Sequence, residues 1–438
     1  MHKLPKLEGF EHKMFFYNPN KKYQTLKKVI IIGGGISGLC SAYYLVKAGC
    51  EVTVIDKSDM TTGASYINAG YLTPSHFTTI AEPGMITQGL KWMLNSASPF
   101  YIKPRWDTDF FRWAWNFKKS ATSEKVERAI PILKELNLKS RELYEEMQVA
   151  GDFDFHLERK GLLMVYKTAK CEEHEIKLAE RAQKEGLEAK ILNKEELHSI
   201  EPAFADDVIG GIRYDCDAHS TPHVFMQNIK NWLKERGVTF LLNEEVTGFS
   251  KENKKIKAVI AGGQYREADE FVLAAGAWTF KLAKSLGLQI PIQGGKGYSI
   301  NVRENTGIKM PAILAEAKCA VTPMQGFTRF AGTMEFSGNN DIVRSNRVDA
   351  IANAGSGYYK NLEFSNDVKA TATSGLRPVS PDGLPYIGKT TKFNNLNIAA
   401  GHAMMGWSLG PITGKLIMQG ITGDKSAVNL KPFEVGRF

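Results

Sequence analysis

The hydrophobic pattern near the start of the chain predicts a strand, a glycine turn, a helix and a second strand in succession. Residues 29–32 form a short apolar run typical of a buried strand. Apolar positions then recur at helical spacing, at Leu39, Ala42, Tyr43 and Val46. Residues 51–55 alternate as a second strand, which ends at Asp56. This order is typical of a fold with a parallel sheet.

The later pattern is more mixed. Helical periodicity covers residues 124–150 and 170–200, and residues 240–246 predict another strand. Residues 256–274 are expected to form two strands of a hairpin-like excursion around a pair of glycines. Short runs broken by glycines across residues 291–370 predict an antiparallel sheet. The 438 residues are too many for one simple core, so two domains are expected.

Composition narrows the class of protein without identifying it. Hydrophobic residues make up 43% of the chain and charged residues 24%, which is ordinary for a soluble globular protein. The net charge of +9 is compatible with nucleic acid, an anionic membrane surface or a basic soluble enzyme, and the dispersed lysines argue against nucleic acid. Five scattered cysteines favour a reducing compartment, and residues 1–26 lack a signal-peptide core. A cytoplasmic location is therefore expected.

The turn after the first strand carries the clearest chemical signal. Gly33-x-Gly35-x-x-Gly38 permits a tight turn, close approach of a pyrophosphate and close packing of the helix on the strand. The N-terminus of the helix offers unpaired N–H groups to phosphate oxygens. Asp56, at the end of the second strand, is placed to accept hydrogen bonds from ribose hydroxyls. The motif predicts a dinucleotide and leaves FAD and NAD both open.

Three further segments point to a particular family. Residues 63–70 read GASYINAG, residues 375–388 contain GLRPxxPDGxPxIG, and residues 401–411 read GHAMMGWSLGP. With these segments, the chain from about residue 27 onward resembles the D-amino-acid dehydrogenase branch of the amine-oxidising flavoproteins. That family also includes glycine, sarcosine and D-amino-acid oxidases. The resemblance implies FAD as the cofactor.

The resemblance also implies an architecture. We expect an α/β fold (α+β overall), with a Rossmann-like FAD-binding domain and a substrate domain built on a mixed or antiparallel sheet with helices. Both domains are expected to be discontinuous. The FAD-binding domain would take residues 27–75, 200–285 and 371–432, and the substrate domain residues 76–199 and 286–370. Residues 1–26 would form an N-terminal extension.

The family motifs assign a set of cofactor-binding residues. Cys40 and Cys50 would not reach the flavin ring, so the FAD is expected to be non-covalent. His402 fits either a general base or packing beside the ring, and packing is preferred. The residues expected to bind FAD are Gly33, Gly35, Ile36, Ser37, Gly38, Asp56, Lys57, Ser65, Asn68, Ala69, Gly70, Val246, Ala275, Gly276, Trp278, Gly401, His402, Met405, Gly406, Trp407 and Ser408.

The expected reaction is oxidative deamination of a small D-amino acid to the imino acid and then the oxo acid. Arg377 would bind the substrate carboxylate, because a guanidinium matches it bidentately, and Tyr298 would add a hydrogen bond. Hydride would pass from Cα to flavin N5 and the electrons to a quinone or another carrier. Alternatives are a secondary-amine dehydrogenase or oxidase (sarcosine, glycine, proline or hydroxyproline type), an FAD-dependent tRNA-modifying protein and a non-catalytic flavoprotein subunit.

Two other patterns leave alternatives open. Cys216-x-x-His219-x-x-x-His223 has metal-like spacing but lacks a clear fourth ligand, so no metal is expected and His219 is predicted to face the substrate. Residues 84–119 are rich in aromatic and basic side chains, which suit either a helical cap or a peripheral membrane contact on the inner face of the cytoplasmic membrane.

Overall fold

The computed structural model describes residues 26–84 and 98–438. The predicted N-terminal extension, apart from Leu26, lies outside the described residues. So do residues 85–97 of the aromatic stretch.

The described chain alternates between strands and helices over its whole length. The strands are β1 Lys28–Ile32, β2 Glu51–Asp56, β3 Tyr71–Leu72, β4 Phe100–Ile102, β5 Leu157–Glu158, β6 Leu162–Tyr166, β7 Ala189–Asn193, β8 Gly210–Tyr214, β9 Ala218–Ser220, β10 Thr239–Leu242, β11 Val246–Glu252, β12 Lys255–Ala261, β13 Gln264–Glu267, β14 Glu270–Leu273, β15 Gln293–Val302, β16 Ala312–Leu314, β17 Cys319–Met324, β18 Phe327–Phe336, β19 Thr373–Val379, β20 Tyr386–Lys389 and β21 Leu396–Ala400. The helices are α1 Ile36–Lys47, α2 Thr108–Ser120, α3 Ser123–Ala150, α4 Ala169–Lys184, α5 Lys194–Ile200, α6 Pro222–Glu235, α7 Thr279–Ser285, α8 Ser345–Tyr358, α9 Asn366–Ala370 and α10 Gly410–Thr422.

A six-stranded sheet forms the first half of the architecture. Its strand order is β10-β2-β1-β14-β21-β20, and every neighbouring pair is parallel except β20 with β21. The central strand β1 is buried from its second residue onward, because helices cover the sheet. The predicted strand–turn–helix–strand unit is therefore the centre of a Rossmann-like sheet.

Helix α10 packs directly on helix α1 beside this sheet. A Cβ added to Gly414 would overlap the backbone of Cys40, and one added to Gly410 would overlap the side chain of Ile36. Both helices contribute fully buried residues to the same hydrophobic core. The absence of side chains at these two glycines lets the helix backbones approach closely.

A nine-stranded sheet forms the second half. Its main path runs β19-β15-β18-β17-β16-β6-β8-β7, and β4 pairs with β18. Antiparallel pairing dominates around β15, β17, β18 and β19. Strands β8 and β19 belong to this sheet although they fall within the segments predicted for the FAD-binding domain. The predicted mixed α/β class is confirmed, and the exact domain boundaries stay a prediction.

The predicted hairpin at residues 256–274 is only partly correct. The two glycines do turn a hairpin, but it joins β12 to β13 rather than to the strand that follows. Strand β14 instead pairs in parallel with β1 at the centre of the six-stranded sheet. The strand predicted at residues 240–246 is also divided. Residues 239–242 form β10 in the six-stranded sheet, whereas Val246 begins β11, which belongs to the three-stranded sheet β11-β12-β13. Apolar runs of four or five residues predict strands without identifying their partners.

We predict that Gly414→Val destabilises the protein by about 1–3 kcal/mol or more, because overpacking forces the two helix backbones apart. Thermal and urea unfolding would measure the change. The matched control is Gly420→Ala on the same helix, where an added Cβ makes only an ordinary contact of 3.7 Å. That change should be neutral or stabilising, since alanine is the better helix former. Equal unfolding midpoints for the two variants would contradict the proposed packing constraint.

Candidate active site

Residues from both sheets line one large cavity of about 1930 Å³. Ligand pockets for single small molecules are typically about 300–1,000 Å³. The wall includes the turn after β1, the loop at residues 61–69, the end of β14, the facing surface of β15, β18 and β19, and the turn at residues 402–408. The volume and extent fit an elongated cofactor together with a small substrate.

The glycine turn after β1 forms one end of the cavity. Gly33 has a φ of +107°, a conformation that favours glycine. A Cβ on Gly38 would overlap the carbonyl oxygen of Gly33, so the third glycine lets α1 start immediately against the turn. The N–H of Ile36 donates to Ser65 Oγ at 3.0 Å. The remaining N–H groups of the first turn have no partner within the helix and suit phosphate oxygens.

Asp56 closes the same end from strand β2. Its Oδ2 accepts the N–H of Gly34 at 2.7 Å, and its Oδ1 accepts both the N–H and the hydroxyl of Ser58. These bonds fix the carboxylate in the cavity wall and leave each oxygen further acceptor capacity. Nearby, Lys57 Nζ lies 3.6 Å from the ring centroid of Trp278. The arrangement matches what a ribose and an adjacent adenine require.

The loop at residues 63–70 is fixed by a buried arginine. Arg329 Nη1 donates to the carbonyl oxygens of Tyr66 and Asn68, at 3.0 and 2.7 Å. Thr322 Oγ1 donates to the carbonyl oxygen of Ala69 at 2.7 Å. These bonds hold the loop on strands β17 and β18. Its small residues therefore present backbone to the cavity, as a flat flavin ring requires.

The turn at residues 401–408 is fixed by side chains of neighbouring elements. Trp407 is fully buried, and its Nε1 donates to Ser220 Oγ at 2.9 Å. Ser408 Oγ donates to Asn137 Oδ1 at 2.8 Å. His402 Nε2 lies 2.9 Å from Thr413 Oγ1, and burial lowers the pKa of this histidine to about 4. A neutral, hydrogen-bonded imidazole suits a packing role better than that of a general base.

Most of the predicted cofactor residues line this one cavity. Gly38, Gly70 and Gly401 are instead not part of its wall. An added Cβ would overlap the backbone of Gly33 or Ser220 at the first two and the ring of Tyr386 at Gly401. The residues in the wall are Gly33, Gly35, Ile36, Ser37, Asp56, Lys57, Ser65, Asn68, Ala69, Val246, Ala275, Gly276, Trp278, His402, Met405, Gly406, Trp407 and Ser408.

Arg377 projects from β19 into the substrate side of the cavity. Its Nη1 donates to the carbonyl oxygen of Thr333 at 2.9 Å. Among residues 26–84 and 98–438, no carboxylate lies within 4.0 Å of the guanidinium. Burial lowers the pKa of Arg377 to about 10, so the side chain stays charged at neutral pH. A desolvated cation without a counter-ion is a ready site for a substrate carboxylate.

A backbone irregularity on β18 supports this arginine. The pairing of β15 with β18 shifts register between Lys296 and Tyr298, which marks a bulge. Thr333 lies within the bulge and has a φ of +65°, an outlier for a β-branched residue. Its carbonyl oxygen accepts from Arg377, and its hydroxyl is buried without a partner among the described residues. Strain of this kind concentrates at functional sites.

Strand alternation separates Tyr298 from Arg377. A Cβ on Gly297 would overlap the Arg377 guanidinium, so the arginine lies over that glycine. Tyr298, one residue further along β15, also contributes to the cavity wall, but its side chain lies on the opposite face of the sheet from Arg377. Its hydroxyl donates to the buried carboxylate of Glu335 at 2.8 Å. The single phenolic donor is thus engaged by Glu335 in this structure, and the hydrogen bond from Tyr298 to the substrate stays a prediction.

Glu335 gathers several cations on that same face. Lys296 and Arg344 lie 3.8 and 3.2 Å from its Oε1, and Arg347 lies 4.0 Å from its Oε2. Burial raises the pKa of Glu335, but the hydrogen bonds from Ser337 and Tyr298 and the nearby cations outweigh this and lower it overall. Lys296 is thus a buried partner of this carboxylate.

The metal-like spacing at Cys216, His219 and His223 does not form a cluster. Cys216 Sγ contacts Asp217, and His223 lines the cavity beside Phe327. His219 lies on β9 of the three-stranded sheet β3-β9-β5 and is not part of the cavity wall, so the structure does not place it toward the substrate. Spacing alone could not show this, because residues 218–220 form a strand and place the side chains on different faces.

Comparisons with known proteins agree with the geometry. The family model described as "DAO: FAD dependent oxidoreductase" matches residues 28–419. A D-amino acid dehydrogenase from Neisseria meningitidis serogroup C is 30% identical over 94% of this chain and 99% of its own length. The crystal structure of glycine oxidase from Geobacillus kaustophilus superposes with a TM-score of 0.75 at 21% identity, covering 94% of this chain and 99% of the other. That of L-proline dehydrogenase from P.horikoshii gives 0.71 at 20% identity, covering 93% and 96%.

We predict that Asp56→Ala weakens cofactor binding by about 10- to 150-fold, the range expected when a charged hydrogen-bond acceptor worth about 1.5–3 kcal/mol is removed. Flavin content after gel filtration and titration of the apoprotein with FAD would measure it. Asp59→Ala is the matched control, because that carboxylate only caps the exposed Thr61 of the same turn. Equal affinities in the two variants would contradict the assignment. Equal unfolding midpoints of the two apoproteins would show that misfolding is not the cause of weaker binding.

Proposed function

Since this chain belongs to the FAD-dependent oxidoreductase family whose model spans residues 28–419, we propose that it oxidatively deaminates a small D-amino acid. The family membership confirms the sequence-based prediction of FAD. The observation that carries the proposal is Arg377, a charged guanidinium in the wall of the cofactor cavity with no counter-ion among residues 26–84 and 98–438.

Arg377 is proposed to bind the substrate, and Thr333 to position Arg377. Arg377 fixes the substrate carboxylate, and this bond orients Cα within the cavity. Thr333 holds the arginine through its carbonyl oxygen. When bound, FAD supplies the two-electron acceptor. Because the carboxylate is anchored and the cavity wall limits the side chain, positioning is the main contribution of the protein.

The relatives support a D-amino acid as substrate. Curated relatives at about 30% identity are named D-amino acid dehydrogenases and match nearly their full length. The solved structures are more distant and share only the fold, which also occurs in a glycine oxidase and an L-proline dehydrogenase. A secondary amine with a carboxylate would use the same anchor, so it is the second candidate for this site.

The electron acceptor is proposed to be a membrane quinone or a similar carrier. None of the helices in residues 26–84 and 98–438 is long and apolar enough to cross a bilayer. Helix α2, however, exposes Phe111 and Trp115 by 49% and 57%, and the preceding Trp106 by 98%. The exposed Lys118 and Lys119 flank this patch. Aromatic and basic side chains together suit the headgroup region of an anionic membrane.

The same helix contacts the substrate strand. Trp113, on the buried face of α2, donates its Nε1–H to the carbonyl oxygen of Val379, two residues after Arg377. Val343 and Met404 are exposed and also line the cavity. A membrane-bound α2 would therefore bring an apolar part of the cavity wall near the bilayer.

We expect anaerobic addition of small D-amino acids to bleach the flavin spectrum faster than their L-isomers, sarcosine or proline analogues do.

Arg377→Lys should lower kcat/KM by about 10- to 150-fold, because lysine keeps the charge but loses the bidentate bond. Arg377→Met should lower it further. Flavin content must stay equal across the three proteins. Bleaching only by secondary amines would move the assignment to the second candidate, and bleaching by none would contradict catalysis on amino acids.

We expect the protein to cosediment with vesicles that contain phosphatidylglycerol and to bind neutral phosphatidylcholine vesicles weakly. Trp106→Ala, Phe111→Ala and Trp115→Ala combined should reduce binding at least about tenfold, since each aromatic contributes apolar area to the interface. Tyr265→Ala removes an equally exposed aromatic, at 68%, from another part of the surface and serves as control. Equal binding by the triple variant and the wild type would contradict the membrane proposal.

A further inference from the structure

A fully buried histidine outside the cavity makes no hydrogen bond of good geometry within the described residues. His219 has no exposed surface, and its polar neighbours are the carboxylate of Glu158, 3.6 Å from Nε2, and the backbone of Pro323. A buried polar group without a well-placed partner destabilises the fold, so such a group calls for an unseen ligand, ion or water.

The neighbouring side chains are metal ligands. Glu158 lies opposite His219 across the β5–β9 pair, and its Oε2 is 3.6 Å from His219 Nε2. His156 precedes β5, and its Nε2 is 3.1 Å from Glu158 Oε1. One ligand atom from each of the three residues lies within 4.8 Å of the others. In tetrahedral zinc sites the ligand atoms are separated by about 3.3 Å, so small side-chain shifts would close this set.

A further contact orients one of the ligands. His156 Nδ1 lies 2.8 Å from Thr221 Oγ1. If Nδ1 carries the proton and donates it to that hydroxyl, the lone pair of Nε2 is free to bind a cation. Ligating histidines are commonly oriented by such a bond from their other nitrogen.

We propose that His156, Glu158 and His219 bind a divalent transition-metal ion of the zinc class. Two imidazoles and one carboxylate suit Zn²⁺, and water would complete a four-coordinate shell. The ion would enter from the side of Glu158, the most exposed of the three. Lys160 Nζ, which lies 2.6 Å from Glu158 Oε2 and is about half-exposed, would have to move into solvent.

The position gives the ion a structural role near the cofactor. It would hold residues 156–158 against β9. Ser220 of β9 donates its N–H to the carbonyl oxygen of Gly70 at 2.8 Å and accepts from Trp407 Nε1. Gly70 and Trp407 both belong to segments that form part of the cavity wall. The site itself lies outside that wall, so Zn²⁺ binding can be measured separately from the proposed reaction.

The test is a Zn²⁺ titration of the FAD-loaded protein after treatment with a chelator, with a chromophoric chelator as competitor. We expect one Zn²⁺ per wild-type chain and a rise in the unfolding temperature. His219→Ala and the isosteric Glu158→Gln should each weaken binding at least about 100-fold, more than the loss of an outer-shell partner. Lys160→Gln should tighten it severalfold by removing the competing ammonium.

His198→Ala and Cys216→Ser are the controls and should bind Zn²⁺ like the wild type. His198 lies elsewhere and contacts the carbonyl oxygen of Val208, and Cys216 belongs only to the alternative sequence pattern. If His219→Ala misfolds, the Glu158→Gln and Lys160→Gln variants still decide the outcome. A wild-type protein that takes up no stoichiometric Zn²⁺, or a Glu158→Gln protein that binds as tightly as the wild type, would overturn the proposal.

Discussion

The cofactor cavity depends on helix α1 approaching two other backbone segments without side chains between them. Gly38 brings the helix against the carbonyl oxygen of Gly33, and Gly414 brings α10 against Cys40. Interiors are packed to crystal-like density, so even one methyl group at these points would separate the elements. Because these approaches are close, the N-terminus of α1 and the turn before α10 meet at the carboxyl edge of one parallel sheet. Cofactor sites of open α/β sheets form at this edge.

The substrate side depends on keeping one cation free of carboxylates. Strand β15 separates two environments, because its residues alternate between the two faces of the sheet. Gly297 makes room for Arg377 on one face. On the other, Lys296 and Tyr298 satisfy Glu335. The buried carboxylate is therefore neutralised by its own partners and does not compete with substrate for Arg377.

Helix α2 links the exterior to this arrangement. Its outer face exposes Phe111 and Trp115, and its inner face packs on the strands of the substrate cavity through Trp113. The stretch that contains α2 has one face that packs on the strands of the cavity and one face that is exposed. An amphipathic helix can meet two different surroundings in this way, and the membrane contact of the exposed face stays a proposal.

The sequence by itself determined the cofactor chemistry and the class of fold. A glycine turn between a strand and a helix is a local feature, because the close approach that requires it, of Gly38 to the carbonyl oxygen of Gly33, involves residues only five positions apart. The motif around Arg377 likewise identified a residue that lines the cavity. Only the tertiary structure decided which strands pair and which face each side chain occupies. Tyr298 faces Glu335, and His219 meets Glu158, because strand partners come from distant parts of the chain. Local periodicity predicts a strand but carries no information about the partner whose register fixes those contacts.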